Sequence, residues 1–249
     1  MSLVRLINSI KQCLDDVFIS GGQDTVGVTE AVKHEDCAAS LEEAATRYQS
    51  LLQHAQEAGL ATGLVTTDSL TGASPAGGGA EAGLVPAHTD LLCPGYAHSA
   101  SRDWENNQGT PPRCEDLAAQ LVRRQPGSSL RVILGGGRQH FNNSAGAEDG
   151  RTDGADLVAE WLEARRAEVS ANQCLVLTSA NCARQGSRPA YVGDRAGLAA
   201  VEAASTSHLL GLFTEDEFRY TLDLGAGDQT QPSLAEMTSK VCIILTPDW

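Results

Sequence analysis

The chain has 249 residues, which is enough for one large domain or two small ones with a buried core. Its net charge of −14 disfavours nucleic-acid binding, because an acidic surface repels a phosphate backbone. The sequence contains no run of about 18 apolar residues, so no transmembrane helix is predicted. Residues 1–20 carry Arg5 and Lys11 within their apolar pattern, which predicts a short amphipathic helix rather than a signal peptide. No lipid-anchor signal is visible either.

Apolar residues at three- and four-residue steps predict helices, and short β-rich runs predict strands between them. In chain order we expect a helix at 41–58, a strand at 61–67, a helix at 114–124, a strand at 129–137, helices at 154–169 and 194–204, a strand at 208–213 and a helix at 232–241. Gly59 should end the first helix, Ser40 and Glu43 should form its capping box, and Pro232 should stand at N1 of the last. Helices alternating with buried strands are typical of a parallel sheet.

Three stretches do not fit this alternation. Residues 77–95 and 168–189 show neither helical period nor strand alternation, and we interpret them as long loops or disorder. The glycine-rich run at 134–139, LGGGRQ, lacks the spacing of either common phosphate-binding loop. We interpret it as a strand-to-loop turn that needs a positive φ, with a nucleotide site as the alternative.

Several stretches resemble animal-type alkaline phosphatases. Residues 58–76, AGLATGLVTTDSLTGASPA, resemble a family segment that ends Val-Val-Thr-Thr-Thr, followed by His-Ala-Ser-Pro-Ala. Residues 96–107 begin with YAHSASRDW, and 114–141 contain CEDLAAQL and VILGGGR, both close to family motifs. Shorter matches at 25–37, 152–162, 208–213 and 232–238 follow in the family's order.

The resemblance divides the chain into three parts. An alkaline-phosphatase-like partial domain covers 25–240 with unmatched inserts at about 77–95 and 168–189, while 1–24 and 241–249 do not match. It implies an α/β fold, a partial three-layer α/β/α sandwich with a mostly parallel central sheet. This chain would supply only some of the strands, which leaves unpaired sheet edges. We interpret the unmatched stretches as translated inserts in a mispredicted or alternatively spliced message.

The resemblance also implies a chemistry. Family members hydrolyse phosphate monoesters with two zinc ions, one magnesium ion and a serine nucleophile. It places the phosphate-gripping arginine at Arg102, where the alternative is a surface arginine paired with Asp103. It places a magnesium ligand at Ser74, where the alternative is a turn residue before Pro75. Gly72 stands where animal members carry a histidine near the magnesium site.

Cys37 and Cys114 align with two cysteines that form a disulfide in animal members, which implies an oxidising compartment. Two free thiols are the alternative, because an odd total of seven cysteines does not settle the redox compartment. By family, the protein would be extracellular or anchored at the cell surface, and commonly a homodimer.

Two parts of the family's machinery have no counterpart. The nucleophile segment, of the form Asp-Ser-Ala-Gly-Thr, is absent, and Ser20 lacks the preceding aspartate. The segment that supplies most zinc ligands is also absent. We therefore expect the chain alone to be inactive, and the alternative function is a non-catalytic truncated interaction module or pseudoenzyme.

Overall fold

The computed structural model describes residues 51–72, 116–142, 151, 153–171, 187–224 and 230–245. Within these ranges helices and strands alternate along the chain. The helices are α1 (Leu51–Glu57), α2 (Leu117–Arg123), α3 (Leu157–Ala171), α4 (Arg195–Ala200) and α5 (Leu234–Leu245). The strands are β1 (Gly63–Ser69), β2 (Val132–Gly136), β3 (Arg188–Val192) and β4 (Thr206–Leu212). Short 3₁₀ turns lie at Gly127–Ser129, Arg138–His140 and Ala203–Ser205.

The described strands form one sheet in the order β1-β2-β4-β3, and every pairing is parallel. Val65 of β1 lies opposite Leu134 of β2, which in turn lies opposite Gly211 of β4. All four carboxyl ends therefore meet at the same edge of the sheet. The predicted α/β class with a parallel sheet is confirmed.

Both faces of the sheet are covered by helices. Ile133 points into a core shared with α2 and α3, where Trp161 is 1% exposed. Its neighbour Leu134 points into the opposite core, shared with α4 and α5. Because successive strand residues alternate between faces, β2 and β4 are buried on both sides and read as continuous apolar runs. The three-layer arrangement is thus present in the described part of the chain.

The end of α1 confirms the prediction for Gly59. This glycine has φ 76° and donates its N–H to the Gln56 carbonyl at 2.9 Å. The N–H of Leu60 reaches back to the Ala55 carbonyl at 2.8 Å. This pair of bonds is the Schellman motif, which satisfies carbonyls that the helix end leaves open. The start predicted at residue 41, with its capping box, lies outside the described residues.

Two predictions of local structure are wrong. The loop predicted at 168–189 is wrong at its two ends, because residues up to Ala171 are helical and β3 begins at Arg188, while residues 172–186 lie outside the described part of the chain. Strand β3 was missed because Pro189 breaks the strand pattern, but proline is tolerated there since β3 is an edge strand in the described sheet. The last helix begins after Ser233, not at Pro232. Ser233 donates its backbone N–H to Glu236 at 2.8 Å and forms a capping box.

None of the described helices combines the length and the apolar character that crossing a lipid bilayer would require. The expected loop at 77–95 and the non-matching segment at 1–24 lie outside the described residues. Of the non-matching tail at 241–249, residues 241–245 continue α5 and residues 246–249 lie outside the described part of the chain.

Candidate functional site

We expect a ligand site at the carboxyl edge of the sheet, because ligands of parallel sheets bind beyond the carboxyl ends of the strands. Three segments meet there. We call residues 68–72 the Asp68 turn, residues 135–138 the glycine turn and residues 213–218 the crossing segment.

At Gly136 and Gly137 the glycine turn has room for a hydrogen atom but not for a side chain. Gly137 adopts φ 85°, a left-handed conformation that side chains disfavour. A Cβ on Gly137 would collide with the hydroxyl oxygen of Ser69, and one on Gly136 would collide with the Asp216 carbonyl. The prediction of a turn that needs positive φ is therefore confirmed.

The crossing segment leads from the end of β4 over β2 to β1. Its carbonyls accept hydrogen bonds from the glycine turn and the residue after it: Gly137 to Asp216 at 2.9 Å, Arg138 to Thr214 at 3.0 Å and Gln139 to Glu215 at 3.2 Å. At its far end, the N–H of Phe218 donates to the Thr67 carbonyl at 3.1 Å. A phosphate-binding loop would direct such N–H groups at its ligand. Here the protein itself occupies them, which argues against the nucleotide site considered for 134–139.

Arg138 closes the same part of the edge. Its Nε donates to the Leu212 carbonyl at 3.1 Å and one terminal nitrogen donates to the Gly193 carbonyl at 3.0 Å. The other terminal nitrogen lies 3.5 Å from Glu215. The guanidinium thus joins the ends of β4 and β3. Burial raises the pKa of the nearby Tyr191 hydroxyl, and the charge of Arg138 partly opposes that rise.

A buried cluster of charged side chains around Arg151 contacts the segment that follows the glycine turn. Arg151, 2% exposed, donates to both carboxylate oxygens of Asp116 at 3.0 and 2.6 Å. It also donates to Asp153 at 2.8 Å and to the His140 carbonyl at 3.1 Å. Burial alone would lower the pKa of Arg151, but the two carboxylates outweigh it and the pKa is raised. Asp116 additionally caps α2 by accepting from Ala119 at 3.0 Å.

The Asp68 turn has a different character. The Asp68 carboxylate is half-buried, and its Oδ1 accepts the Ser69 N–H at 2.7 Å. Among the described residues, its Oδ2 receives no hydrogen bond. In the same turn, the hydroxyls of Ser69 and Thr71 lie 3.0 Å apart. All of these groups are hard oxygen donors, the ligand type that magnesium prefers.

None of the residues predicted for the site falls in the described part of the chain. Arg102, Ser74, Cys37 and Cys114 all lie outside it, so the structure neither joins nor separates them. The described chain stops at Gly72, two residues before Ser74, on the carboxyl edge of the sheet. In the described ranges no three His, Cys, Asp or Glu side chains come together as a metal cluster.

Sequence reasoning missed Arg138, Arg151 and Asp68. Arg138 follows three glycines at a strand end, and that position was a usable signal. Arg151 carries no such signal, because its partner Asp116 lies 35 residues away. The only sequence signal for Asp68 is that it stands where the family's Val-Val-Thr-Thr-Thr segment has its last threonine.

Comparison with known proteins identifies the family. A family model described as alkaline phosphatase matches residues 15–248. The chain is 31% identical over 240 residues to the membrane-bound alkaline phosphatase of Bombyx mori, covering 92% of this chain and 37% of that protein. It is 30% identical over 236 residues to the tissue-nonspecific isozyme of alkaline phosphatase from Gallus gallus, covering 89% of this chain and 37% of the relative.

Among solved structures, the chain is similar to the alkaline phosphatase of Thermus thermophilus, with a TM-score of 0.48 and 23% identity over 90% of this chain and 34% of that one. This chain therefore spans little more than a third of the length of the curated relatives it matches, 37% for both named here. The family model alone covers far more than half of the chain. The chain belongs to the alkaline phosphatase family.

Proposed function

We propose that this chain carries the phosphate-gripping and magnesium-facing part of a metal-dependent phosphomonoesterase. The observation that supports the proposal is the family match, whose bounds of 15–248 enclose both Ser74 and Arg102. The position of the Asp68 turn adds to it, because this turn lies at the carboxyl edge of the sheet and ends two residues before Ser74 in the sequence.

Arg102 would bind the phosphoryl group. A guanidinium is planar and presents paired N–H donors that match two phosphate oxygens. Ser74 would supply a hydroxyl ligand to magnesium, and the hard oxygens of the neighbouring Asp68 turn fit that ion. When bound, the metal ions would neutralise charge on the phosphate oxygens and activate the nucleophile.

The substrates would be phosphate monoesters, and the complete enzyme would use zinc together with magnesium. The family's serine nucleophile and main zinc ligands have no match in this sequence. The 249 residues alone would therefore bind phosphate without turning over an ester.

Inorganic phosphate binding tests the role of Arg102. Isothermal titration of the full chain should detect binding, and Arg102→Ala should weaken it by about 10–100-fold, the value of hydrogen bonds to a charged group. Arg102→Lys should weaken it almost as much, because a lysine cannot form the paired contact. The matched control is Arg188→Ala, an exposed arginine on β3. Equal affinity in all four proteins would overturn the proposal.

A chromogenic phosphate ester tests the absence of turnover. We expect no hydrolysis above background at alkaline pH with zinc and magnesium added. Hydrolysis that disappears in Arg102→Ala would show that the chain contains a complete catalytic centre, against our expectation.

Location and covalent structure form a second part of the proposal. The Bombyx mori relative is named as membrane-bound, and we propose a cell-surface or extracellular location with a Cys37–Cys114 disulfide and a homodimeric full protein. Peptide mapping of secreted protein under non-reducing conditions should recover the linked pair. Cys242, an exposed cysteine outside the proposed pair, is the internal control. Recovery of Cys37 and Cys114 as separate thiols would contradict the disulfide.

A further inference from the structure

The two edge strands of the described sheet differ in how well they are protected against pairing with a further strand. Strand β3 carries Pro189, which has no N–H to offer, beside the exposed Arg188. Strand β1 has neither a proline nor a charged residue from Gly63 to Thr67. Its residues are mostly half-buried, whereas β2 and β4 are buried throughout. Of the two edges in the described sheet, β1 is therefore the one that a further strand can join.

Helix α5, which covers β1, uses one flank to contact α4. Its Glu236 carboxylate accepts a hydrogen bond from Arg195 at 2.9 Å, and its Lys240 ammonium donates to the Val201 carbonyl at 2.9 Å. Because Leu198 of α4 shares a core with β3 and β4, this charged flank of α5 points toward the β3 side of the sheet.

The opposite flank of α5 consists of Leu234, Thr238 and Cys242, which follow at steps of four residues and are all exposed. We call these three residues the uncharged flank. Leu245 continues it over β1, since a Cβ on Gly63 would lie 3.3 Å from the Leu245 side chain. In a chain with a net charge of −14, a second acidic copy meets the least repulsion at a surface without charges.

Large apolar side chains are also exposed at both ends of β1. Leu60, just before the strand, is 50% exposed. At the other end, Tyr220 and Leu222 lie in a turn after the crossing segment and are 80% and 97% exposed. Two hydrogen bonds between the Gln231 side chain and the backbone of Arg219 hold the base of this turn. Apolar side chains presented in this way are typical of a protein–protein contact.

We propose that β1 pairs with β1 of a second copy of this chain, antiparallel about a two-fold axis, so that two four-stranded sheets become one continuous sheet. The axis places the amino end of one β1 beside the carboxyl end of the other. Leu60 of each copy then lies at the same end as Tyr220 and Leu222 of the other copy. This contact goes beyond the proposed function, because it requires neither phosphate nor a metal ion.

The spacing of the helices fits this arrangement. Helix α5 packs over both β1 and β2, so its axis lies roughly 2.4 Å inside β1, half of the distance between neighbouring strands. The two-fold axis lies the same distance outside β1. The two copies of α5 then run antiparallel about 10 Å apart, which is the usual distance between packed helices. Thr238 faces its own copy near the axis, and Leu234 faces Cys242.

The area of the contact indicates a reversible dimer. The β1 edge is about 23 Å long and the sheet and helix layers together are roughly 20 Å deep, which gives roughly half of the ~800 Å² per partner of a standard interface. Leu60, Tyr220 and Leu222 extend the contact at its two ends. We therefore expect a dissociation constant on the order of 10 µM.

Sedimentation velocity of the full 249-residue chain tests the inference. The fraction of dimer should rise with protein concentration up to about 100 µM. Thr238→Asp places two like charges near the axis and should weaken association by about 10-fold or more. The matched control is Ser239→Asp, which puts the same charge on the next exposed residue of α5, outside the uncharged flank, and should leave the association nearly unchanged.

A second pair of variants tests the ends of the contact. Leu222→Asp replaces an exposed apolar side chain of the turn and should weaken association several-fold. Ile243→Asp makes the same kind of change at a residue that is also exposed but lies on the far side of α5 from the uncharged flank, and it should have no effect.

Cross-linking tests the two-fold geometry directly. In a Cys242→Ser background, Thr238→Cys places one thiol from each copy near the axis, and mild oxidation with copper phenanthroline should give a covalent dimer on a non-reducing gel. Ser239→Cys in the same background is the control and should give much less. Equal cross-linking at the two positions would contradict the proposed axis.

Three further outcomes would overturn the inference. The first is a chain that sediments as a monomer at every concentration, including one that forms a complex only with its longer Bombyx mori relative. The second is a dimer that Thr238→Asp and Leu222→Asp leave intact. The third is equal weakening by Thr238→Asp and Ser239→Asp, which would assign the effect to net charge. Phosphate titration of Thr238→Asp decides the proposed function separately, since this residue has no part in it.

Discussion

The two halves of the carboxyl edge use their polar groups differently. Over β2, β3 and β4, the glycine turn, Arg138 and the crossing segment bond to one another, and the nearby Arg151 is enclosed by two carboxylates. At the end of β1, Oδ1 of Asp68 accepts one backbone N–H, and Oδ2 receives no hydrogen bond from the described residues. We call the part over β2, β3 and β4 the closed half and the part at the end of β1 the open half. Substitutions in the closed half should therefore change mainly the stability of the protein, and substitutions in the open half should change mainly ligand binding.

The largest effect should come from Arg151. Arg151→Met leaves Asp116 and Asp153 without their common cation, and the loss of a buried partner costs about 3–5 kcal/mol of unfolding free energy. Urea denaturation measures this loss. The double variant Asp116→Asn with Arg151→Met should be less destabilised than Arg151→Met alone, because it removes one of the stranded charges. A loss below about 1 kcal/mol in Arg151→Met would mean that the cluster is not a support of the closed half.

The glycine turn offers a matched pair of substitutions. Gly137→Ala meets both a left-handed φ of 85° and the Ser69 hydroxyl, and should cost about 2–4 kcal/mol. Gly154→Ala has a similar φ of 77° with no atom within 4 Å, and should cost only the conformational part, about 1–2 kcal/mol. Equal losses in denaturation would show that the close approach to Ser69 adds nothing.

A smaller effect is expected at Arg138. Arg138→Lys keeps the charge but cannot reach both the Leu212 and Gly193 carbonyls, so one buried carbonyl loses its donor at a cost of about 1–2 kcal/mol. Arg123→Ala, which breaks an exposed pair with Glu160, is the control and should cost less than about 1 kcal/mol. If Arg123→Ala lowers the unfolding free energy more than Arg138→Lys does, the hydrogen bonds of Arg138 do not stabilise the closed half.

Tyr191 should give the closed half a pH dependence in strong alkali. Its pKa is raised above 10.0 mainly by burial, so the folded state holds the proton more tightly than the unfolded chain. That contribution to stability is complete below about pH 10 and is lost as the pH rises through the folded-state pKa. Tyr191→Phe should flatten the fall in Tm above pH 10. A fall of identical steepness in both proteins would contradict this assignment.

The smallest stability change is expected in the open half. Asp68→Asn keeps the bond from Ser69 and removes a charge that has no cationic partner among the described residues, so unfolding free energy in metal-free buffer should change by less than about 0.5 kcal/mol. A loss as large as that of Arg138→Lys would abolish the contrast between the halves.

Much of the fold could be predicted from the sequence because the rules involved are local. The apolar run around Ile133 and the helix face around Trp161 follow from periodicity, and Gly59 and Gly137 follow from backbone sterics. Strand β3 could not be predicted by the same rules, since Pro189 argues against a central strand and the edge position of β3 is seen only in the described sheet.

The site was less accessible to such reasoning. Arg151 and Asp116 meet across 35 residues, and no spacing rule connects them. Asp68 and Gly72 are close in sequence, but their competition for one volume becomes visible only when a Cβ is built on the glycine. Arg102 and Ser74 come from resemblance to the family and stay predictions, as do the zinc, the magnesium and the disulfide.

The crossing segment has a consequence for how the molecule opens. Residues 213–218 tie β4 to β2 and to β1, although β1 and β4 are not neighbours in the sheet. Detaching this one stretch would expose the amides of Gly137, Arg138 and Phe218 to solvent together. Their hydrogen exchange should therefore proceed at a common rate, as one cooperative unit that reports local opening of the carboxyl edge.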